Sequence, residues 1–194
     1  MNTLSVLIKA AIFLAMLTIL ILFFRKDGKW AFENGAPAFR YFTVLSNIFS
    51  AVTALAMAIC QLGGSVPEGV LLLKYMSTVS VTVTMLTVFL FLLPTQGAAK
   101  MLGGSNFYMH LIGPGLAIGS YCFLEKRALS LGQALLGVLP VMAYGAVYLW
   151  KVIYAPQEKR WEDIYGFNRG GKWPVAFAAM TVATIIVCVV YWRI

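Results

Sequence analysis

Six long apolar runs, separated by short polar segments, constrain the fold of this 194-residue chain more than any other feature. Each run is close to the ~20 residues that an α-helix needs to cross the roughly 30 Å hydrocarbon core of a bilayer. Apolar residues make up 61% of the chain and charged residues 11%, against about 45–50% and about 25% in soluble domains. Because folding in water cannot hide so much apolar surface, the sequence predicts an integral, multi-pass membrane protein.

The predicted fold is an all-α integral membrane protein, a single domain over residues 1–194 that forms a bundle of six transmembrane helices. Charged, Gly-rich or Pro-containing segments separate the runs, as expected of helix ends. The predicted helices cover residues 4–24, 40–62, 71–93, 106–124, 131–154 and 174–191. The first run is not expected to be a cleaved signal peptide, because it is too long and no small-residue cleavage site follows it. Within it, Lys9 is predicted to extend to the membrane interface.

The net charge of +8 is interpreted as loop charge. The first, third and fifth loops hold ten Lys and Arg residues, and the opposite side of the membrane holds five. The positive-inside rule then predicts that the odd-numbered loops are cytoplasmic and that both termini lie outside. No basic run is interleaved with aromatic residues in a soluble segment, so nucleic-acid binding is not expected.

Neither a disulfide framework nor a metal centre is expected. Cys60, Cys122 and Cys188 are far apart, odd in number and embedded in apolar runs, which is typical of buried free thiols. His110 is the only histidine, so a zinc site of the usual composition or a bis-histidine haem is hard to build. The sequence predicts no cofactor and no bound metal.

Polar residues concentrate where the second predicted helix begins. At helical spacing Arg40, Thr43 and Asn47 share one face, and Ser46 lies beside them. A polar face at the mouth of a membrane helix has two interpretations. It is either a helix cap with packing hydroxyls or part of a functional site.

The depth of Thr43 in the membrane matches that of His110. Thr43 lies roughly 5 Å, and His110 roughly 6 Å, past the start of helices that enter from the same side, at 1.5 Å per residue. This depth is just below the headgroups, where lipid ester linkages are found. A histidine in a membrane span is by default a functional-site hypothesis, although hydrogen bonding to a neighbouring helix is the alternative.

This pair of residues suits nucleophilic catalysis. A threonine hydroxyl is a weak nucleophile until a base takes its proton, and His110 is suited to that role near neutral pH. Asn47 and Ser46 are candidate donors for the oxyanion that forms on ester attack. Arg40 could attract a fatty acid carboxylate, or simply bind headgroup phosphate.

Two acidic residues of the fifth loop, Glu162 and Asp163, offer a possible third member of this site. One of them could orient the imidazole of His110. The alternative is a solvated pair that balances the neighbouring Lys159 and Arg160.

Three segments resemble motifs of one known family, the androgen-induced-gene/FAR-17a membrane proteins and their bacterial relatives. They are FRYFTVLSN at 39–47, NFYMHLIGP at 106–114, and the loop IYGFNRGG at 164–171 with Trp173-Pro174. The resemblance covers essentially the whole chain in motif order and in helix number. The fifth loop differs from that of the animal proteins, so the chain looks closer to the bacterial branch.

The resemblance implies a multi-pass membrane hydrolase with Thr43 as nucleophile and His110 as its base. Characterised animal members hydrolyse fatty acid esters of hydroxy fatty acids, so a lipid ester is the implied substrate and a bacterial inner membrane the implied location. The alternatives are a small membrane transporter or channel and a non-catalytic membrane scaffold. No Asp or Glu lies in the predicted helices, which disfavours a cation pathway. The oligomeric state is not determined by the sequence.

Overall fold

The structure, a computed structural model, describes residues 3–125 and 129–194. Within these residues, six helices are long and apolar enough to cross a membrane. This confirms the prediction of an all-α, six-helix integral membrane protein. We number these helices α1 (Thr3–Phe23), α2 (Phe42–Leu62), α3 (Glu68–Gln96), α4 (Ser105–Leu124), α5 (Leu131–Tyr154) and α6 (Trp173–Arg193).

The helix bounds lie within one residue of the predicted ones except in α2, α3 and α6. Helix α6 ends at Arg193, two residues later than predicted. Helix α2 begins at Phe42, two residues later than predicted. Helix α3 begins earlier than predicted and continues past Pro94 to Gln96. Pro94 lies in the helical segment Leu93–Gln96 that closes α3, and it has no N–H to donate to the preceding turn. A π-helical turn, Val88–Leu92, precedes that segment.

Short elements complete the described chain. A two-stranded antiparallel ribbon pairs Arg25–Lys26 (β1) with Lys29–Trp30 (β2). The other short elements are the helical turns Phe32–Gly35 and Ala98–Met101 and the 3₁₀ helices Ala36–Arg40, Gln157–Lys159 and Arg169–Gly171.

The helices belong to two compact units, divided after residue 128. In the first, α1 packs on α2, α2 on α3, and α4 on both α3 and α1. Its core contains Ile12, Met16, Val44, Ala54, Val81 and Ala117. In the second unit, α5 packs against α6. The prediction of one domain over the whole chain stays a prediction. Lys126 and Arg127, which were counted as loop charges, lie outside the described residues.

Helix α1 buries one narrow stripe, which includes a lysine. Its buried residues Ser5, Lys9, Ile12, Met16 and Ile19 recur at helical spacing. The side chain of Lys9 is 0% exposed, so the prediction that it extends to the interface is wrong. Its ammonium finds a carboxylate, Glu125, inside the protein, so it need not reach the headgroups.

Hydroxyl side chains link α2 to α3. Ser46 Oγ and Thr84 Oγ1 are 2.8 Å apart, and Thr53 Oγ1 and Ser77 Oγ are 2.7 Å apart. Small hydroxyl residues allow membrane helices to approach closely and bond across the interface. These contacts hold the start of α2, where Thr43 lies, against the body of the first unit.

Candidate active site

Thr43 is the second residue of α2 and is 8% exposed. Tyr41 precedes the helix in an extended conformation, and no side chain caps the helix N-terminus. The N–H groups of Val44 and Leu45 both bond to Tyr41 O. The N–H of Thr43 lies at an early helical position that has no acceptor within the helix. Thr43 therefore carries, next to its side-chain hydroxyl, a backbone N–H that is available as a hydrogen-bond donor.

Arg40 is not on the helix that carries Thr43. It is the last residue of the 3₁₀ helix Ala36–Arg40, is exposed, and donates from Nε to Pro37 O at 3.0 Å. The extended Tyr41 breaks the helical periodicity between Arg40 and Thr43. The predicted face shared by three residues therefore reduces to Thr43 and Asn47, and Arg40 lies outside it.

His110 lies in a π-helical turn, Tyr108–Ile112, and is 5% exposed. The N–H of Gly113 bonds to Tyr108 O, one residue earlier than the α-helical acceptor Met109 O. The next residue, Pro114, has no N–H to donate. Such single π turns inside α-helices occur frequently at functional sites. The His-to-Pro spacing read from the sequence thus corresponds to a local widening of α4.

Asn47 compensates for the hydrogen bond that the π turn removes. Because Gly113 bonds elsewhere and Pro114 lacks an N–H, Met109 O has lost its helical donors. Asn47 Nδ2 donates to Met109 O at 2.9 Å and to Thr43 O at 2.8 Å. We call this side chain the interhelical amide. Since both oxygens accept from one nitrogen, they lie within about 6 Å of each other.

A backbone carbonyl orients the imidazole of His110. The Nδ1 atom is hydrogen-bonded to Met101 O at 2.5 Å. Because a carbonyl can only accept, Nδ1 carries the proton and Nε2 of the neutral ring is left as an acceptor. The carbonyl belongs to a helical turn, Ala98–Met101, that follows Gly97. Gly97 adopts a φ of 84°, which glycine accepts without strain.

The structure commits the predicted oxyanion donors to other acceptors. Both N–H bonds of the Asn47 amide point to backbone carbonyls. Ser46 Oγ is bonded to Thr84 Oγ1 and to Thr43 O. In this arrangement neither side chain has a hydrogen left for an oxyanion. The geometry instead supports Asn47 and Ser46 as positioning residues.

The interhelical amide holds Thr43 O and Met109 O close together, and the two predicted catalytic side chains, both among the described residues, form no direct hydrogen bond. Among the described residues, Thr43 Oγ1 has no hydrogen-bond partner, and His110 is bonded only through Nδ1. Neither Thr43 Oγ1 nor His110 Nε2 is among the fully buried polar atoms that lack a partner. Thr43 Oγ1 and His110 Nε2 are therefore unpaired among the described residues and not fully buried. Hydrogen bonds of catalytic pairs are often long before substrate binds.

Asp163 has a structural role in the second unit. Its carboxylate accepts from Tyr148 Oη at 2.9 Å and from the N–H groups of Phe167 and Asn168 at 2.9 and 2.8 Å. The interpretation of Asp163 as one of two solvated acids that balance Lys159 and Arg160 is therefore wrong. The Nδ1 atom of His110, which a third catalytic residue would have oriented, is occupied by a backbone carbonyl. Glu162 is exposed.

Sequence reasoning missed Met101 and Gly113. The carbonyl of Met101 acts through the backbone, so its residue type carries no signal. A Cβ on Gly113 would lie 2.8 Å from Asn47 Oδ1, and the glycine next to Pro114 was the one available hint. Within residues 3–125 and 129–194, no group of three or more His, Cys, Asp or Glu side chains is arranged to hold a metal.

No family model, no curated protein and no solved structure matches this chain. The local geometry therefore carries the functional argument.

Proposed function

We propose that this protein is an intramembrane lipid-ester hydrolase in which Thr43 is the nucleophile and His110 is the general base. The observation that carries the proposal is the interhelical amide. It ties the carbonyl of Thr43 to the carbonyl of the residue that precedes His110. Two polar segments far apart in the sequence are thereby held together within a membrane protein.

The reaction proceeds in two balanced steps. Thr43 Oγ1 attacks the ester carbonyl carbon as its proton passes to His110 Nε2. The bond from that carbon to the alcohol oxygen breaks, and the alcohol leaves with the proton from His110. Water then attacks the acyl-threonine and gives a proton to His110. Thr43 Oγ1 leaves with that proton, and the fatty acid is released.

The environment of Thr43 favours this chemistry in one further way. The charge that develops on the carbonyl oxygen needs preorganised donors. The N–H of Thr43 lies at the uncapped N-terminus of α2, where the helix dipole also favours negative charge. A nucleophile's own N–H serves this purpose in the serine proteases. This backbone donor replaces the side-chain donors that the sequence suggested.

The proposed substrates are fatty acid esters, with fatty acid esters of hydroxy fatty acids tested first. The resemblance to the androgen-induced-gene/FAR-17a family supports this choice. Location in a bacterial inner membrane and cytoplasmic odd-numbered loops are part of the proposal. Lys9 and Lys74 are buried and so do not count as loop charges. The odd-numbered loops then hold ten Lys and Arg residues and the opposite side holds three, which favours a cytoplasmic position for the odd-numbered loops.

The direct test is labelling of the purified protein with a fluorophosphonate probe, followed by mapping of the labelled residue. We expect wild type to be labelled at Thr43 and Thr43→Ala to be unlabelled. Thr53→Ala is the matched control, because Thr53 is a buried threonine of the same helix that is bonded to Ser77. Labelling that persists in Thr43→Ala would remove the nucleophile assignment.

A panel of lipid esters, assayed with the same variants and with His110→Ala, tests the base and the substrate class. His110→Ala should lose hydrolysis while it remains folded. Arg40→Gln should raise KM for esters that carry a free carboxylate and leave neutral esters unaffected. Equal effects on both ester classes would leave Arg40 as a membrane anchor.

A further inference from the structure

A second polar cluster lies inside the first unit, apart from the candidate active site. Lys9 Nζ is 2.7 Å from Glu125 Oε1, and both side chains are 0% exposed. Lys9 also bonds to Ser5 Oγ and, at 3.1 Å, to Gln61 Oε1. Ser120 donates to the same carboxylate oxygen of Glu125. Lys9 and Glu125 therefore form a buried ion pair through Oε1 with neutral hydrogen-bonding neighbours, while Glu125 Oε2 is buried and has no hydrogen-bond partner among the described residues.

A second lysine next to this pair has no counter-charge of its own. Lys74 is 1% exposed, and its Nζ has no hydrogen-bond partner among the described residues. Its ammonium is attracted by Glu125 and repelled by Lys9. Two lysines thus share one carboxylate, and that carboxylate is already bonded to Lys9. We call Lys9, Lys74 and Glu125 the charge cluster.

The imbalance of the charge cluster is costly unless another group compensates for it. An isolated ammonium in a low-dielectric interior is strongly destabilising, and buried charges are accordingly paired. Charged side chains within membrane spans also mark substrate and ion sites by default. The cluster carries two positive charges and one negative charge, which leaves the charge of one monovalent anion to be supplied.

The charge cluster is separate from Thr43 and His110. Lys9 bonds to Gln61, which lies near the end of α2, whereas Thr43 lies at its start. At 1.5 Å per residue these two positions of α2 are roughly 27 Å apart along the helix. The cluster cannot take part in chemistry at Thr43.

We infer that the charge cluster is a binding site for one monovalent anion with a small charged group, held by the Lys74 ammonium. A monovalent anion brings the cluster to neutrality, and a divalent one would overcompensate. The charged group must be small because the lysine and glutamate side chains are almost completely enclosed. A halide or a carboxylate has the required charge, and the carboxylate can come from solution or from a fatty acid in the membrane.

The test is the melting temperature of the purified protein in detergent, with gluconate as the bulky reference anion. An anion that binds only the folded state stabilises it by RT ln(1 + [anion]/Kd), so the melting temperature begins to rise near Kd and continues to rise with the logarithm of the anion concentration. We expect this concentration-dependent rise in wild type with chloride or acetate, and a smaller rise with sulfate at equal ionic strength. Decanoate, with 1-decanol as its neutral control, tests a carboxylate supplied from the lipid phase.

The decisive variant is Lys74→Met, with Lys74→Gln as a second variant in case the first does not fold. We expect either variant to lose the anion response and to melt above wild type in gluconate, because a buried unpaired charge has been removed. Lys100→Met, at an exposed lysine of the helical turn Ala98–Met101, should keep the full response. A wild type that responds to none of these anions, or a Lys74 variant that responds as strongly, would overturn the inference.

The inference is independent of the hydrolase proposal. Thr43→Ala should abolish ester hydrolysis and leave the anion response unchanged. The Lys74 variants should lose the anion response and keep ester hydrolysis. Loss of the anion response in Thr43→Ala would contradict the separation of the two sites.

Discussion

Replacement of Asn47 by alanine tests the contact on which the candidate active site depends. The change removes the hydrogen bonds from Nδ2 to Thr43 O and Met109 O, which are 2.8 and 2.9 Å long. Thr43 O keeps the N–H donor that an α-helix provides four residues later. Met109 O has no such donor, because of the π turn and Pro114. The mutation therefore leaves one buried carbonyl without a partner.

The expected loss of stability follows from this one carbonyl acceptor, which the mutation leaves without a donor. A buried acceptor left unsatisfied costs about 1–3 kcal/mol in soluble proteins. Hydrogen bonds between membrane helices average about 0.6 kcal/mol and reach about 1.7 kcal/mol. We therefore expect Asn47→Ala to lower the free energy of unfolding by about 1–2 kcal/mol. The rate of ester hydrolysis should fall with it, because the segments that carry Thr43 and His110 lose their common hydrogen-bond donor.

The assay is reversible unfolding in mixed detergent micelles, followed by circular dichroism and extrapolated to zero denaturing detergent. Ser50→Ala is the matched control. Ser50 is 2% exposed on the same helix, and its Oγ has no hydrogen-bond partner among the described residues. Its removal should be neutral or stabilising. If Asn47→Ala costs no more than Ser50→Ala, the argument that the interhelical amide holds the site together is refuted.

Three further predictions use the same unfolding measurement. Gly113→Ala should lower the free energy of unfolding by about 1–3 kcal/mol, because its new Cβ would lie 2.8 Å from the oxygen of the interhelical amide. The control is Gly119→Ala, whose Cβ would have no atom within 4 Å, and this change should be neutral or stabilising. Ser46→Ala should lower the free energy of unfolding by roughly 0.6 kcal/mol, the average for a hydrogen bond between membrane helices, and should leave kcat for ester hydrolysis unchanged. If kcat fell a hundredfold or more, the assignment of Ser46 as an oxyanion donor would be supported instead. Glu125→Gln should cost about 3–5 kcal/mol because it leaves Lys9 and Lys74 buried without their carboxylate. The double change with Lys9→Met should recover part of that loss, whereas additive losses would show that the Lys9–Glu125 pair is not coupled.

The helices could be predicted because a lipid environment imposes a length and a composition on every span. Six runs of the required length gave six helices, and the errors are confined to ends such as Phe42 and Gln96. His110 also stood out in the sequence, since it is the only histidine and ionisable residues are rare in membrane spans, and Thr43 was selected by its matched depth. Their positions in α2 and α4 follow from helix bounds alone.

The partners of those residues could not be predicted in the same way. Whether Asn47 donates to an oxyanion or to Met109 O depends on a shift of one residue in the hydrogen bonding of α4. The group that orients His110 is the carbonyl of Met101, and a carbonyl is present at every residue. Periodicity places a side chain on a face, but it does not identify which backbone group lies opposite.

Lys9 shows which part of the structure the sequence predicts and which part it does not. The sequence by itself determined that this lysine lies in a membrane-spanning helix, because composition and length decide what partitions into lipid. Only the tertiary structure decided that it points inward to Glu125 and lies beside an unpaired Lys74. Helix α1 is apolar on nearly all sides, so its pattern does not reveal which stripe packs against its neighbours. That choice depends on contacts between residues far apart in the chain, and these contacts form only when the helices pack.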